Sequence, residues 1–163
     1  MIARKNLNRT VVIKSISKEE FMNILSDCKD AIILGDDEDI REYWIIGGLV
    51  KSAVVLLKID HCHLGPKVYL LKDDIIGIGA NDRFYIIRNR DEINEISLFF
   101  VFCEIIYFDD TKIVIWDETG FICVDYDGKR LWEKGTDLLL KCEIVNNVIV
   151  YETFDGERGE IPF

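Results

Sequence analysis

The chain has 163 residues, 49% of them hydrophobic, and its 30 acidic and 20 basic side chains give a formal net charge of −10. This apolar content excludes a disordered chain and supplies a core, and the length predicts a single domain spanning residues 1–163. The acidic balance argues against direct binding to nucleic acid.

The negative charge is unevenly distributed along the chain. Residues 1–81 contain 11 basic and 12 acidic side chains, whereas residues 82–163 contain 9 and 18, a balance of −9. Such a surplus would steer association with a basic partner. The alternative interpretation is that the acidity serves solubility alone.

Targeting signals and cysteine usage indicate a cytoplasmic protein. Residues 1–9 are basic and lack the apolar core of a secretory leader, and the longest apolar runs are too short to cross a bilayer. The five cysteines are odd in number and widely spaced, which predicts free buried thiols in a reducing compartment.

The N-terminal part predicts one helix between short strands. A strand is expected over residues 10–13, and Ser17 followed three residues later by Glu20 has the form of a capping box. Apolar residues then recur at helical spacing, which predicts an amphipathic helix over residues 18–29. Further strands are expected over residues 31–34, 43–50 and 53–59. The acidic run at residues 36–39 lacks the central glycine of a calcium loop and indicates a solvated loop.

Residues 60–66 are expected to form a turn that holds both histidines of the chain, His61 and His63, on either side of Cys62. Two alternating histidines on an extended segment would point the same way and could share a metal ion. No second Cys/His cluster exists, so further ligands would have to be acids or isolated cysteines. Exposed loop histidines are the favoured interpretation, with no cofactor, and a metal-binding protein or metal-dependent enzyme is the alternative.

The middle of the chain predicts a hairpin followed by one strand. Residues 67–71 and 75–78 are expected to pair across Lys72-Asp73-Asp74, and the two glycines within residues 77–80 indicate a turn. A strand is expected over residues 83–88, followed by a polar connection over residues 89–94.

The second half of the chain reads as a β-meander. Turn signals lie near residues 109, 119, 127, 135, 146 and 155, at the spacing of about 8 to 11 residues that is typical of antiparallel all-β folds. Strands are expected over residues 105–108, 112–116, 121–126, 129–133, 141–145 and 148–151. The predicted fold is therefore mainly β, at the margin of α+β, with antiparallel meander sheets and one N-terminal amphipathic helix.

Residues 113–161 contain two hairpin units that share a pattern. Residues 115–132 combine a strand, an Asp-containing turn, a second strand and Asp127-Gly128-Lys129 before Trp132, and residues 148–161 form a second copy around Asp155-Gly156. This piece resembles the blade repeats of quinoprotein-like β-propellers. The resemblance implies antiparallel β-structure, with a small or incomplete propeller-like fold as the alternative architecture, and it implies no ligand residues.

Catalytic constellations are missing from the sequence, so no catalytic residue is predicted. There is no phosphate loop and no strand–turn–helix nucleophile elbow. The acid pairs Asp109/Asp110, Asp117/Glu118 and Asp125/Asp127 lie in turns, where aspartate is expected for backbone reasons. Glu104 and Glu143 interrupt apolar runs, and strand alternation favours a solvent-facing position for each.

These observations favour a non-enzymatic, acidic protein-binding module. Its concrete form is a bacterial immunity-type protein that neutralises a basic toxin such as a nuclease. A sensor domain that binds a small ligand is a further alternative, and the sequence leaves the oligomeric state open. Aromatic anchors with acidic neighbours are typical of such surfaces. The predicted partner-binding residues are Trp116, Asp117, Glu118, Tyr126, Asp127 and Trp132.

Overall fold

A computed structural model of the chain describes residues 11–50, 53–60, 64–72 and 75–163. In this part of the chain, fifteen β-strands form four sheets, and there is one α-helix. This confirms the mainly β fold with one N-terminal helix. The histidine turn at residues 61–63, the connection at Lys51-Ser52 and most of the Lys72-Asp73-Asp74 turn lie outside the described residues.

The elements follow one another in short succession. Their bounds are β1 Val12–Ile16, α1 Lys18–Asp27, β2 Ile32–Leu34, β3 Glu42–Val50, β4 Ala53–Ile59, β5 Lys67–Lys72, β6 Ile75–Ala80, β7 Arg83–Ile87, β8 Ile93–Ser97, β9 Phe102–Phe108, β10 Lys112–Asp117, β11 Gly120–Asp125, β12 Arg130–Gly135, β13 Leu139–Val145, β14 Val148–Thr153 and β15 Arg158–Pro162.

Helix α1 begins where the capping residue predicts. The Ser17 hydroxyl accepts a hydrogen bond from the Glu20 N–H at 3.1 Å, which satisfies one of the free donors at the helix start. Phe21 is buried and forms a cluster with Ile16 and Leu56, so the apolar stripe packs on a sheet as expected. The helix ends at Asp27, two residues before the predicted end. No helix among the described residues is long and apolar enough to span a membrane.

The described residues fall into two compact units. The N-terminal unit consists of residues 11–81 and 85–94, and the C-terminal unit consists of residues 82–84 and 95–163. In the N-terminal unit the strand order is β1-β3-β4-β2, with β2 parallel to β4 and the other neighbours antiparallel. The strands β5 to β8 form a further sheet in sequence order. The single domain stays a prediction.

The C-terminal unit is built from two antiparallel meanders. The strands β9 to β12 form one sheet in the order β12-β11-β10-β9, and β13, β14 and β15 form a second, three-stranded sheet. Its apolar cluster includes Val114, Phe121 and Cys123 from the first sheet and Ile149 and Tyr151 from the second. This confirms the predicted meander, and a propeller-like arrangement remains the alternative.

Three predicted turns of the meander are confirmed by their backbone geometry. Asn146 and Asn147 have φ values of 50° and 62°, which is the left-handed conformation that a two-residue type I′ turn needs. Gly128 has φ 79°, and the Asp125 carboxylate accepts hydrogen bonds from the N–H groups of Asp127 and Lys129 at 2.9 Å each. Gly156 has φ 84° in the third turn.

One prediction for the middle of the chain is wrong, and another is too long by two residues. The predicted turn at residues 77–80 lies inside strand β6, where all four residues are buried. Gly77 and Gly79 are paired with Tyr69 and Lys67 of β5, so they continue the strand and do not change the chain direction. The predicted polar connection at residues 89–94 overlaps strand β8, which begins at Ile93. Ile93 and Ile96 are three residues apart, so β8 lacks the two-residue apolar alternation by which a strand is predicted.

Gly159 gives a test of packing within the second sheet. A Cβ atom at Gly159 would collide with the ring of Tyr151, its partner across the sheet, whereas a Cβ atom at Gly135 would meet no atom within 4 Å. We expect Gly159→Ala to lower the free energy of unfolding by about 1–3 kcal/mol through overpacking. Gly135→Ala is the matched control and should leave it unchanged or raise it. Urea denaturation measures both, and equal effects would contradict the packing role of Gly159.

Candidate protein-binding surface

The carboxylate of Asp117 organises one end of the C-terminal unit. It ends strand β10, and its side chain is 1% exposed. One oxygen accepts hydrogen bonds from the backbone N–H groups of Phe99 at 2.7 Å and Phe100 at 3.1 Å, and the other accepts from the Thr119 N–H at 2.9 Å. Three backbone donors therefore hold this buried side chain, and it ties the segment before β9 to the β10–β11 turn.

Backbone hydrogen bonds add two further segments to this end of the unit. The Glu118 N–H donates to the Val101 carbonyl at 3.1 Å, and the Leu139 N–H donates to the Glu118 carbonyl at 2.8 Å. The Phe154 N–H in turn donates to the Leu138 carbonyl at 2.9 Å. Residues 98–101, 117–120, 136–139 and 153–157 are thus neighbours although they are far apart in sequence.

Four exposed apolar side chains lie on these joined segments, and we call them the apolar patch. They are Phe99, Phe100, Leu138 and Phe154, with exposed fractions of 41%, 51%, 50% and 67%. Single exposed apolar residues are ordinary on protein surfaces, but a group of large ones marks an interaction site. Aromatic side chains also dominate the energetics of protein interfaces.

Several acidic side chains lie on the same segments as the apolar patch. Asp137 and Asp155 are exposed and adjoin Leu138 and Phe154 in sequence, Glu157 is exposed, and Glu118 is half-buried. Asp137 and Glu157 also line a cavity of about 280 Å³ together with Lys134. The surface around the patch is therefore mainly negative, which is the sign a basic partner would meet.

The six predicted binding residues do not form one surface. Trp116 and Trp132 are half-buried and pack against the apolar cluster of the unit. Asp117 is buried, as described above, and Tyr126 is 8% exposed and donates its hydroxyl hydrogen to the Asp109 carbonyl at 2.7 Å. Glu118 is half-buried next to the patch. Asp127 is exposed, but it lies in the β11–β12 turn, at the opposite end of β11 from Asp117.

The aromatic residues at the surface are ones that the sequence did not single out. Phe99 and Phe100 belong to an apolar run that resembles buried strand, yet they lie between β8 and β9. Two consecutive phenylalanines were the available signal, because an ordinary strand turns one of two neighbours outward.

The Nε1 of Trp116 is buried and has no hydrogen-bond partner among the described residues.

Comparison of this chain with protein families, curated proteins and solved structures gave no match. The function must therefore be inferred from the residues and their geometry.

Metal and thiol chemistry would require the histidine and cysteine side chains of the chain. His61, Cys62 and His63 lie outside the described residues, so the metal alternative there stays a prediction. Among the described residues, no three His, Cys, Asp or Glu side chains form a group that could hold a metal ion. Burial raises the pKa of Cys123 to about 11 and that of Cys142 to about 12, which keeps both thiols protonated near neutral pH. Glu143 is exposed as expected, and Glu104 is half-buried.

The acidic turn between β9 and β10 has a structural role. Burial raises the pKa of Asp109, but hydrogen bonds from the Thr111 N–H and hydroxyl and from the Lys112 N–H outweigh burial and hold that pKa below its usual value. Tyr107 also donates its hydroxyl hydrogen to this carboxylate at 3.1 Å. The Asp109 carboxylate thus accepts hydrogen bonds from the backbone of its own turn, which is the role expected from the sequence for the acid pairs.

The depressed pKa of Asp109 predicts a pH dependence of stability. A carboxyl group with a lowered pKa in the folded state stabilises the fold above its unfolded pKa of about 3.9, and this contribution is lost as pH falls through the folded pKa. We expect Asp109→Asn to lose less stability than the wild type between about pH 4 and pH 2. The control is Asp110→Asn, which leaves the three hydrogen bonds in place. Urea denaturation at both pH values measures the free energy of unfolding. An equal loss of this free energy in all three proteins would contradict the role of Asp109.

Removal of the Asp117 carboxylate should destabilise the protein strongly. Asp117→Ala leaves three N–H groups without their acceptor, and each unsatisfied buried donor costs roughly 1–3 kcal/mol. We expect a loss of about 3 kcal/mol or more in the free energy of unfolding, measured by chemical denaturation. Asp137→Ala removes an exposed carboxylate at the same end of the unit and should cost less than about 0.5 kcal/mol. A loss of similar size in the two variants would refute the organising role of Asp117.

Proposed function

We propose that the chain is a non-enzymatic protein-binding module that engages a basic protein through the apolar patch. In the concrete form of this proposal, it is an immunity-type protein of bacterial origin that neutralises a basic toxin such as a nuclease. The observation that supports it most directly is the group of exposed apolar side chains in the patch, two of which, Phe99 and Phe100, are held by the buried Asp117 carboxylate. Such a group costs solubility and contributes little to the core, so an interaction is the physical reason to retain it.

Charge supports the choice of partner. The C-terminal unit contains seven basic and sixteen acidic side chains, so its balance of −9 equals that of the whole second half of the chain. Around the patch, Asp137, Asp155 and Glu157 are exposed, and Lys134, which lines a cavity with Asp137 and Glu157, is one of the basic neighbours. Charges of one sign on a rim accelerate the encounter with a partner of opposite sign, while the apolar centre supplies most of the binding energy.

The proposal divides the predicted residues by role. Glu118 stays a candidate for direct contact because it is partly exposed beside the patch, whereas Asp127 is exposed at the opposite end of β11 and would act only through its charge. Trp116, Tyr126 and Trp132 would act by supporting the unit from within, and Asp117 would act by positioning Phe99 and Phe100. We therefore propose Phe100 and Phe154, the two most exposed aromatic residues of the patch, as the anchors.

A capture experiment in two salt concentrations tests this function. The full chain is immobilised, exposed to lysate of the native host, and the bound proteins are identified by mass spectrometry. We expect a basic partner whose affinity falls when salt rises from about 0.1 M to 1 M, because the screening length shortens from about 10 Å to 3 Å. The purified partner is then titrated against Phe100→Ala and Phe154→Ala, each of which should weaken binding by about tenfold or more.

Leu131→Ala is the matched control for the titration. Leu131 is 49% exposed but lies near the start of β12, far from the β10–β11 turn, and its removal should leave the affinity unchanged. A partner that is acidic, or whose binding is indifferent to salt, would refute steering. Equal losses in the patch variants and in Leu131→Ala would refute the patch as the binding surface. A toxin that still kills cells producing this chain would refute the immunity role alone.

A further inference from the structure

Strand β13 forms one edge of the three-stranded sheet in the C-terminal unit. Among the described residues it pairs with β14 and with no other strand. Its side chains are largely exposed: Leu140 by 48%, Ile144 by 36% and Val145 by 44%, with Lys141 and Glu143 also exposed. An edge strand presents N–H and C=O groups that can pair with another strand.

The turn after β13 fixes which of its backbone groups face outward. In the type I′ turn at Asn146-Asn147, the flanking residues Val145 and Val148 form a hydrogen-bonded pair. Because hydrogen-bonded and non-hydrogen-bonded pairs alternate, Cys142 and Ile144 direct their N–H and C=O groups away from β14. Leu140 lies at a register shift and has no partner in β14. The outer side of β13 therefore offers a short ladder centred on Cys142.

The sequence of β13 complements itself in antiparallel orientation. If Cys142 lies opposite Cys142 of a second copy, Lys141 lies opposite Glu143 and Leu140 lies opposite Ile144, each pair occurring twice by symmetry. The Lys141 and Glu143 pairs occupy non-hydrogen-bonded sites, where the side chains of opposed residues come closest. Opposite charges at such sites stabilise the pairing, and the two exposed apolar side chains cover each other.

The same charges disfavour the neighbouring registers. A shift of two residues in one direction places Lys141 opposite Lys141, and a shift in the other direction places Glu143 opposite Glu143. Like charges directly across a sheet are destabilising. A charged residue on an edge strand ordinarily blocks pairing, but here the alternation of sign selects one register.

We propose that two copies of this chain associate through antiparallel pairing of their β13 strands about a two-fold axis at Cys142. The two three-stranded sheets then form one continuous six-stranded sheet. The association is non-covalent, because Cys142 is half-buried against the apolar cluster and burial raises its pKa to about 12, so that the reactive thiolate is scarce. The patch at the β10–β11 turn is not required for this contact.

Charge reversal tests the pairing on the full chain by sedimentation equilibrium. We expect the wild type to dimerise in a concentration-dependent way, with or without reductant. Glu143→Lys places lysine opposite lysine, and Lys141→Glu places glutamate opposite glutamate, so each variant alone should dimerise about tenfold more weakly or worse. An equimolar mixture of the two variants should restore the dimer, because every opposed pair then carries opposite charges.

Glu160→Lys is the matched control for net charge. Glu160 is exposed on β15, the other edge of the same sheet, and its reversal should leave the dimer intact. Circular dichroism verifies that each variant is folded, and the mixing experiment needs no assumption about their relative stability. A wild type that stays monomeric up to about 1 mM, the weak limit of specific association, would overturn the proposal. Equal weakening by Glu160→Lys, or no association in the mixture, would overturn it as well.

Discussion

The buried carboxylate of Asp117 is the interaction on which this end of the molecule depends. Burial of a charged group costs roughly several kcal/mol unless hydrogen bonds or an opposite charge replace its hydration. The N–H groups of Phe99, Phe100 and Thr119 supply those bonds. Because two of the three donors belong to the patch residues themselves, the same bonds that make the carboxylate tolerable hold two phenylalanines outside the regular strands. The position of Phe99 and Phe100 outside the strands is thus tied to the hydrogen bonds of a buried polar group.

Local backbone chemistry explains why the strands and turns could be predicted from the sequence. Asn146-Asn147, Asp127-Gly128 and Ser17 each act within a few residues, through a left-handed backbone or a side chain that bonds a nearby N–H. These effects need no knowledge of distant residues. Gly77 and Gly79 failed as turn signals because glycine is also used where neighbouring chains pack closely, and that depends on the whole sheet.

The roles of the aromatic residues and of Asp117 could not be predicted for the opposite reason. In the sequence, Asp117 resembles Asp127, since both belong to turn signals between apolar runs, and only the contact with Phe99, 18 residues earlier, distinguishes the buried Asp117. Trp116 and Trp132 resemble anchors because they are large and stand beside acids. In the fold they pack on the apolar cluster, while Phe100 and Phe154 are exposed. Burial is a non-local property, so a single strand pattern cannot assign it.

Charge is used in three ways within the C-terminal unit, and net charge alone does not distinguish them. Glu152 accepts hydrogen bonds from both Lys141 and Arg158, and the bond from Lys141 together with the charge of Arg158 lowers its pKa, so these charges largely cancel at short range. Around the apolar patch the acids outnumber the bases, and a field of one sign extends over about a Debye length to attract a partner. Along β13 the signs alternate, so the long-range field is weak, but each side chain discriminates between registers at contact distance. The acids around the apolar patch therefore increase the rate of encounter with a basic partner. The alternating charges of β13 instead select one register of pairing with a second copy of the chain. The two surfaces can coexist on one unit because they act over different distances.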